Sequence, residues 1–159
     1  MSGPDATLER GATGGGGWDA TPGPPARVLV VFEPCDTGRA ALREAAELAN
    51  AGSELSVVTL APQVKPMLWG RAGGEGPYNL AMREEAEIDL REARQILGSV
   101  AARATFAVLA GTPQPPLDTW AAERAFSIVL LAFHRFTPGG SRFAKGLRRA
   151  TTAEVRLVR

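Results

Sequence analysis

The sequence holds one cysteine, Cys35, and one histidine, His134, in 159 residues. A single thiol excludes an internal disulfide and suits a reducing compartment. A lone histidine with no second metal ligand close in sequence gives no metal motif. No apolar run approaches the ~20 residues needed to span a bilayer. The opening MSGPDATLER lacks the charged-then-apolar order of a secretory signal, so a cytoplasmic location with no membrane partner is expected. Charge of one sign is also missing: 18 Lys and Arg stand against 17 Asp and Glu, which gives no global argument for nucleic acid. What is present is ample aliphatic residue for one core in one domain.

Residues 1–26 read as a disordered tail. GATGGGGWDATPGPP combines glycine and proline with almost no large apolar side chain, too little to offset the entropy of ordering it. Its GGGG follows no strand and opens no helix, so it does not read as a phosphate loop. Residues 27–159 read as one folded domain.

The domain alternates strand and helix. RVLVVF (27–32) is a solid β-branched run, as in a strand buried on both faces. EPCDTG is a turn in which Asp36 or Thr37 can cap the helix RAALREAAELAN (39–50). That helix carries a stripe of Ala41, Leu42, Ala45, Leu48 and Ala49, and Asn50 and Gly52 end it. ELSVVTLA (54–61) is a second strand. PQVKPMLWGRAGGEGPYN (62–79) is a long loop with Met67, Leu68, Trp69 and Tyr78, a candidate surface for a protein partner. A helix over 80–97 places Met82, Ala86, Leu90, Ala93 and Leu97 on one face, and Gly98 closes it. Strands follow at 104–111, 127–133 and 153–159. Between them lie a helix within 112–125 that buries Leu117, Trp120 and Ala121, and a short basic helical segment before the last strand. Strands alternating with helices imply βαβ units and a doubly wound parallel α/β sandwich with helices on both faces. Ligands in such sheets bind outside the carboxyl ends of the strands where the strand order reverses. Glu33, Leu60, Gly111 and the turn from Phe133 to Ser141 would surround that crevice.

Over residues 27–159 the phrases VLVVFEPCDTGRAALREAAELA, VLAGTPQPPLDTWAAERAFSIVLLAF and LRRATTAEVRLVR, in that order and spacing, resemble the universal stress protein family. The resemblance implies a five-stranded parallel sheet in the order 3-2-1-4-5. It also implies a homodimer, commonly through the last strand, with Arg156 and Arg159 limiting uncontrolled edge pairing. Some members bind ATP and some do not. In those that do, an acidic residue after the first strand meets the adenosine, here Glu33, and backbone after the second strand meets the base, here near Leu60. The phosphates lie in a loop of pattern Gly-x2-Gly-x9-Gly-Ser/Thr.

Glycines let backbone N–H groups approach phosphate without a Cβ in the way, and a helix N-terminus adds a favourable dipole. Here Gly140-Ser141 matches the final pair. The first glycine is replaced by Ala132 or Phe133, the second is lost within HRFTPG, and the loop is several residues short. Ser127 stands where an Asp is often seen. A hydrogen bond to a charged group contributes roughly 1.5–3 kcal/mol, so losing two or three such donors costs affinity steeply. Arg142, with Arg135 or Lys145, is the compensating cation. The expectation is a non-enzymatic binding or regulatory protein with no resident cofactor. The open alternative is a nucleotide sensor that takes ATP or another adenine nucleotide through Glu33, Leu60, Gly140, Ser141 and Arg142.

Other signals are bland. His134 has no partner nucleophile or paired carboxylate, so it reads as an ordinary solvated or capping side chain. Cys35 reads as a small residue filling a turn rather than a reactive thiol. The acids and arginines of 83–94 have the spacing of an ion-paired helix surface. From Arg135 to Arg159 seven bases face one acid, Glu154, but few aromatics interleave them, and nucleic acid is not expected.

Overall fold

A computed structural model describes residues 23–65, 75–112, 114–132 and 138–159; the side chains of residues 75 and 138–142 fall outside this description. The elements run β1 (Arg27–Val31), α1 (Asp36–Asn50), β2 (Glu54–Pro62), α2 (Glu75–Leu97), a 3-10 helix (Gly98–Arg103), β3 (Thr105–Gly111), α3 (Leu117–Glu123), β4 (Ile128–Ala132), α4 (Pro138–Ala150) and β5 (Glu154–Val158). All neighbouring strands pair in parallel, in the order β3-β2-β1-β4-β5. The doubly wound sandwich expected from the sequence is the fold observed.

The period of two along each strand divides the core into two layers. Val28, Val30, Leu55, Val57 and Leu130 pack with α1 and α2. Leu29, Val31, Val58, Val129 and Leu131 pack with α3 and α4. Strands buried on both faces need apolar side chains on both, which is why the central strands read as unbroken apolar runs. Thr59 is the exception, a buried polar residue whose hydroxyl donates to the Ala86 carbonyl of α2 at 2.8 Å.

Three local expectations are corrected. The cap of α1 is Cys35, not Asp36 or Thr37: the helix begins at Asp36, and the Cys35 Sγ accepts from the Gly38 N–H at 3.3 Å. α2 begins at Glu75 rather than Leu80, because Pro77 sits in the first turn, where its missing N–H has no intrahelical partner to lose. Trp120 is only half-buried; it stacks on the Phe126 ring with centroids 5.5 Å apart, under the Arg124 guanidinium. Gly98, with φ +54°, does end α2, and the chain then winds on as the 3-10 helix. Among the described residues no helix is long and apolar enough to cross a membrane. The proposed tail, apart from residues 23–26, lies outside the described residues.

Candidate functional site

β1 lies where the strand order reverses. The chain moves to one side of it through α1 and β2 and to the other through α3 and β4. The ends of β1, β2 and β4 therefore border the crevice of a doubly wound sheet. Two sequence-predicted residues meet there: Glu33 and Leu60 both line one small cavity. Its remaining walls are Val31, Leu131 and Ala132 from the strands, Leu117 from α3 and Phe143 from α4.

The β1–α1 side is built from backbone. The Cys35 N–H donates to the Glu33 carbonyl at 2.8 Å, which turns the chain tightly into α1. That carbonyl then lies against Gly38: a Cβ at position 38 would stand 1.9 Å from the Glu33 oxygen. No side chain fits there without moving the helix. Thr37 Oγ1 lies 3.3 Å from the Cys35 sulfur and closes the cap.

Above this turn the charges are organised across α1 and α2. Arg39 pairs with Glu92 at 2.9 Å and with Asp36 at 3.4 Å. Burial, with the neighbouring Glu85, Glu92 and Glu33 carboxylates, holds the Asp89 carboxyl above its ordinary range. The described residues contain no group of three or more His, Cys, Asp or Glu arranged to hold a metal ion.

The β4–α4 side is built from side chains. Leu117 is 1% exposed and Leu131 5%, and the half-buried Phe143 packs against the same cluster and lines the cavity with them. The room left is about 20 Å³. A single water needs roughly 10–15 Å³, whereas ligand pockets run from about 300 Å³ upward. Leu117 and Phe143 were not singled out for this crevice by the sequence reading. Their signal lay in the wound topology, which brings α3 and the first turns of α4 back over the ends of β1 and β4.

Gly111 is not a wall of this cavity. It ends β3, where its carbonyl accepts from the Gln63 N–H at 2.8 Å, and a Cβ there would meet the Gln114 carbonyl at 2.6 Å. Gly140, Ser141 and Arg142 fall in the first turns of α4, with side chains outside the description. Phe133 to Thr137, with His134 and Arg135, lie outside the described residues, as do residues 66–74 of the expected 62–79 partner loop. The near end of that loop is fastened by a pair of bonds, Val64 N–H to Asn79 Oδ1 at 2.9 Å and Asn79 Nδ2 to the Val64 carbonyl at 3.1 Å.

Comparison with known proteins agrees with this fold. The sequence profile described as the Universal stress protein family matches residues 25–155. Universal stress protein UspA from Lactobacillus plantarum superposes with a TM-score of 0.69 at 15% identity, covering 84% of this chain and 97% of that one. The universal stress protein from Archaeoglobus fulgidus in complex with dAMP gives 0.57 at 22%, covering 86% and 98%. A universal stress protein in complex with cAMP gives 0.54 at 20%, covering 84% and 97%. No curated protein is significantly similar in sequence. With a profile match across most of its length and a sheet of the same order, this chain belongs to the universal stress protein family.

Proposed function

We propose that this chain is a non-enzymatic binding or regulatory protein of the stress response, cytoplasmic and homodimeric, that does not hold ATP in the manner usual for its relatives. One observation supports the reading: among the described residues, the cavity that Glu33 and Leu60 line at the switch point is small and walled by the chain's own apolar side chains. Leu117, Leu131 and Phe143 leave about 20 Å³ where an adenosine would have to enter. The sequence points the same way, since two of the three phosphate-loop glycines are replaced and the loop is short. Phosphate binding through main-chain amides depends on such glycines.

Calorimetric titration of the full chain with Mg-ATP, ADP, AMP and cAMP tests this. The expected result is no saturable heat with Mg-ATP up to millimolar concentration. Stoichiometric micromolar binding of Mg-ATP would refute it.

A second reading has its own support. Glu33 lines a cavity whose other walls are apolar, which is the mix of residues that a nucleoside needs. Relatives of the same fold have been obtained with cAMP and with dAMP. On this reading an adenine nucleotide enters by displacing Phe143 and is held by Glu33, backbone near Leu60, and Gly140, Ser141 and Arg142. Binding of AMP or cAMP that is lost in Glu33→Ala would favour it over the first.

A further inference from the structure

The two edges of the sheet are guarded differently. Along β5, Arg156 pairs with Glu154 at 2.8 Å and with Glu44 of α1 at 3.0 Å, and charged side chains held along a strand discourage pairing with another chain. β3, at the other edge, has no such guard. Its sequence TFAVLAG contains neither charge nor proline, and Leu109 is its one buried residue.

The β3 backbone offers a free ladder. The Gly111 carbonyl accepts from the Gln63 N–H beyond β2, so the backbone groups of Gly111 face inward. By the alternation of a strand, those of Leu109 and Ala107 do the same. The N–H and C=O groups of Phe106, Val108 and Ala110 therefore point away from β2, to the open edge.

Between this edge and α2 runs a groove of about 470 Å³. Leu90, Phe106 and Val108 give it apolar surface, and Glu87, Arg91 and Arg94 give it charge, two bases against one acid. Thr59 is the β2 register partner of Val108 and bonds to Ala86, which sets Glu87 level with Val108. The Arg94 guanidinium lies 4.4 Å over the Phe106 ring, so the bases gather toward the Phe106 end. Stacking of this kind uses the face of the guanidinium and leaves its in-plane N–H donors to a carboxylate. Among the described residues neither Arg91 nor Arg94 forms an ion pair.

We propose that the β3 edge takes an extended acidic peptide segment of another protein as an added strand. This names a partner class for the binding role proposed above and is independent of what the crevice holds. In either strand direction, the side chain opposite Val108 and the one two residues away, opposite Phe106, both face α2. The first meets Val108 and Leu90 and should be apolar. The second meets Arg94 and Arg91 and should be Asp or Glu. Main-chain bonds to Phe106, Val108 and Ala110 supply affinity, and the alternate side chains supply specificity. A second copy of β3 is the poorer fit, because TFAVLAG brings no carboxylate to the two arginines.

Fluorescence anisotropy of the full chain with labelled synthetic peptides tests the proposal. In one probe, two valines and then two aspartates alternate with threonines; in another the order is reversed, which covers both strand directions. One of the two is expected to bind saturably at micromolar protein, and its lysine-for-aspartate counterpart about tenfold more weakly or worse. Reversing both bases, Arg91→Glu with Arg94→Glu, should invert that preference. Val108→Pro removes an outward N–H and should abolish binding with an unchanged circular-dichroism spectrum. If Val108→Pro fails to fold, the charge-reversed variant decides. No saturable change with either aspartate probe up to millimolar protein would overturn the proposal, as would equal binding of the aspartate and lysine probes. A dimer in sedimentation equilibrium that Val108→Pro dissociates would put a second copy on this edge and overturn it too.

Discussion

The two sides of the crevice are made of different material. On the β1–α1 side backbone meets backbone: the Glu33 carbonyl sits where a Cβ of residue 38 would have to be, and the Cys35 sulfur caps the helix. On the β4–α4 side, Leu117, Leu131 and Phe143 wall a cavity of about 20 Å³. The first side depends on one glycine staying small. The second depends on side chains staying large. A sheet of this kind offers a place for a ligand through its topology, but whether anything enters is decided by a handful of side chains on the helices that return over the strand ends.

Substitutions on the two sides should therefore fail in different ways. Gly38→Ala should have the largest effect. Its new Cβ would meet backbone rather than a side chain that can turn aside, at 1.9 Å, so α1 must move. A loss of about 3 kcal/mol or more is expected in urea unfolding, with no gain of ligand binding. Phe143→Ala should come next. Deleting a fully buried Phe costs about 3–5 kcal/mol, and this half-buried one should cost about 1–3. Unlike Gly38→Ala it should open the crevice, which calorimetry with AMP would register as new or tighter binding.

Two changes on the β1–β2 side sharpen the contrast at lower cost. Thr59→Val removes the hydroxyl that ties β2 to α2 and should cost about 1 kcal/mol by the same unfolding measurement. Asp89→Asn should have the smallest effect, and of opposite sign. Burial and the Glu85, Glu92 and Glu33 charges raise the folded-state carboxyl above its unfolded value. The folded protein then binds that proton more tightly, so Asp89 costs stability as pH rises through the raised value. The cost vanishes below the unfolded value of about 3.9. Asp89→Asn should stabilise slightly at pH 7, and the gain should disappear near pH 3.

Much of the fold was legible because burial on both faces leaves a strand little choice of residue. RVLVV and IVLLA could be placed without knowing their neighbours. Glu33 and Leu60 could be set at one crevice, since strand ends at a reversal of order converge wherever the sheet is wound this way. What escaped was local competition. Cys35 outranked two better capping residues because it, not they, occupied the position before the first helical turn. Gly76 and Pro77 read as a loop, yet a first turn tolerates both. Gly38, inside the first turn of a helix that it weakens by about 1 kcal/mol relative to Ala, was a visible sign of close backbone approach. Phe143 gave no such sign. Its role depends on where α4 lands, and a helix of the right periodicity does not state which of its apolar residues will overhang a ligand site.

The proposal that the small cavity at the strand ends excludes ATP is tested most directly by the amide NMR spectrum of the full chain with excess Mg-ATP. The account predicts that the signals of Glu33, Leu60 and Phe143 stay in place in the wild type and that those of Glu33 and Leu60 move on nucleotide addition in Phe143→Ala. Saturable shifts of those amides in the unaltered protein would contradict it.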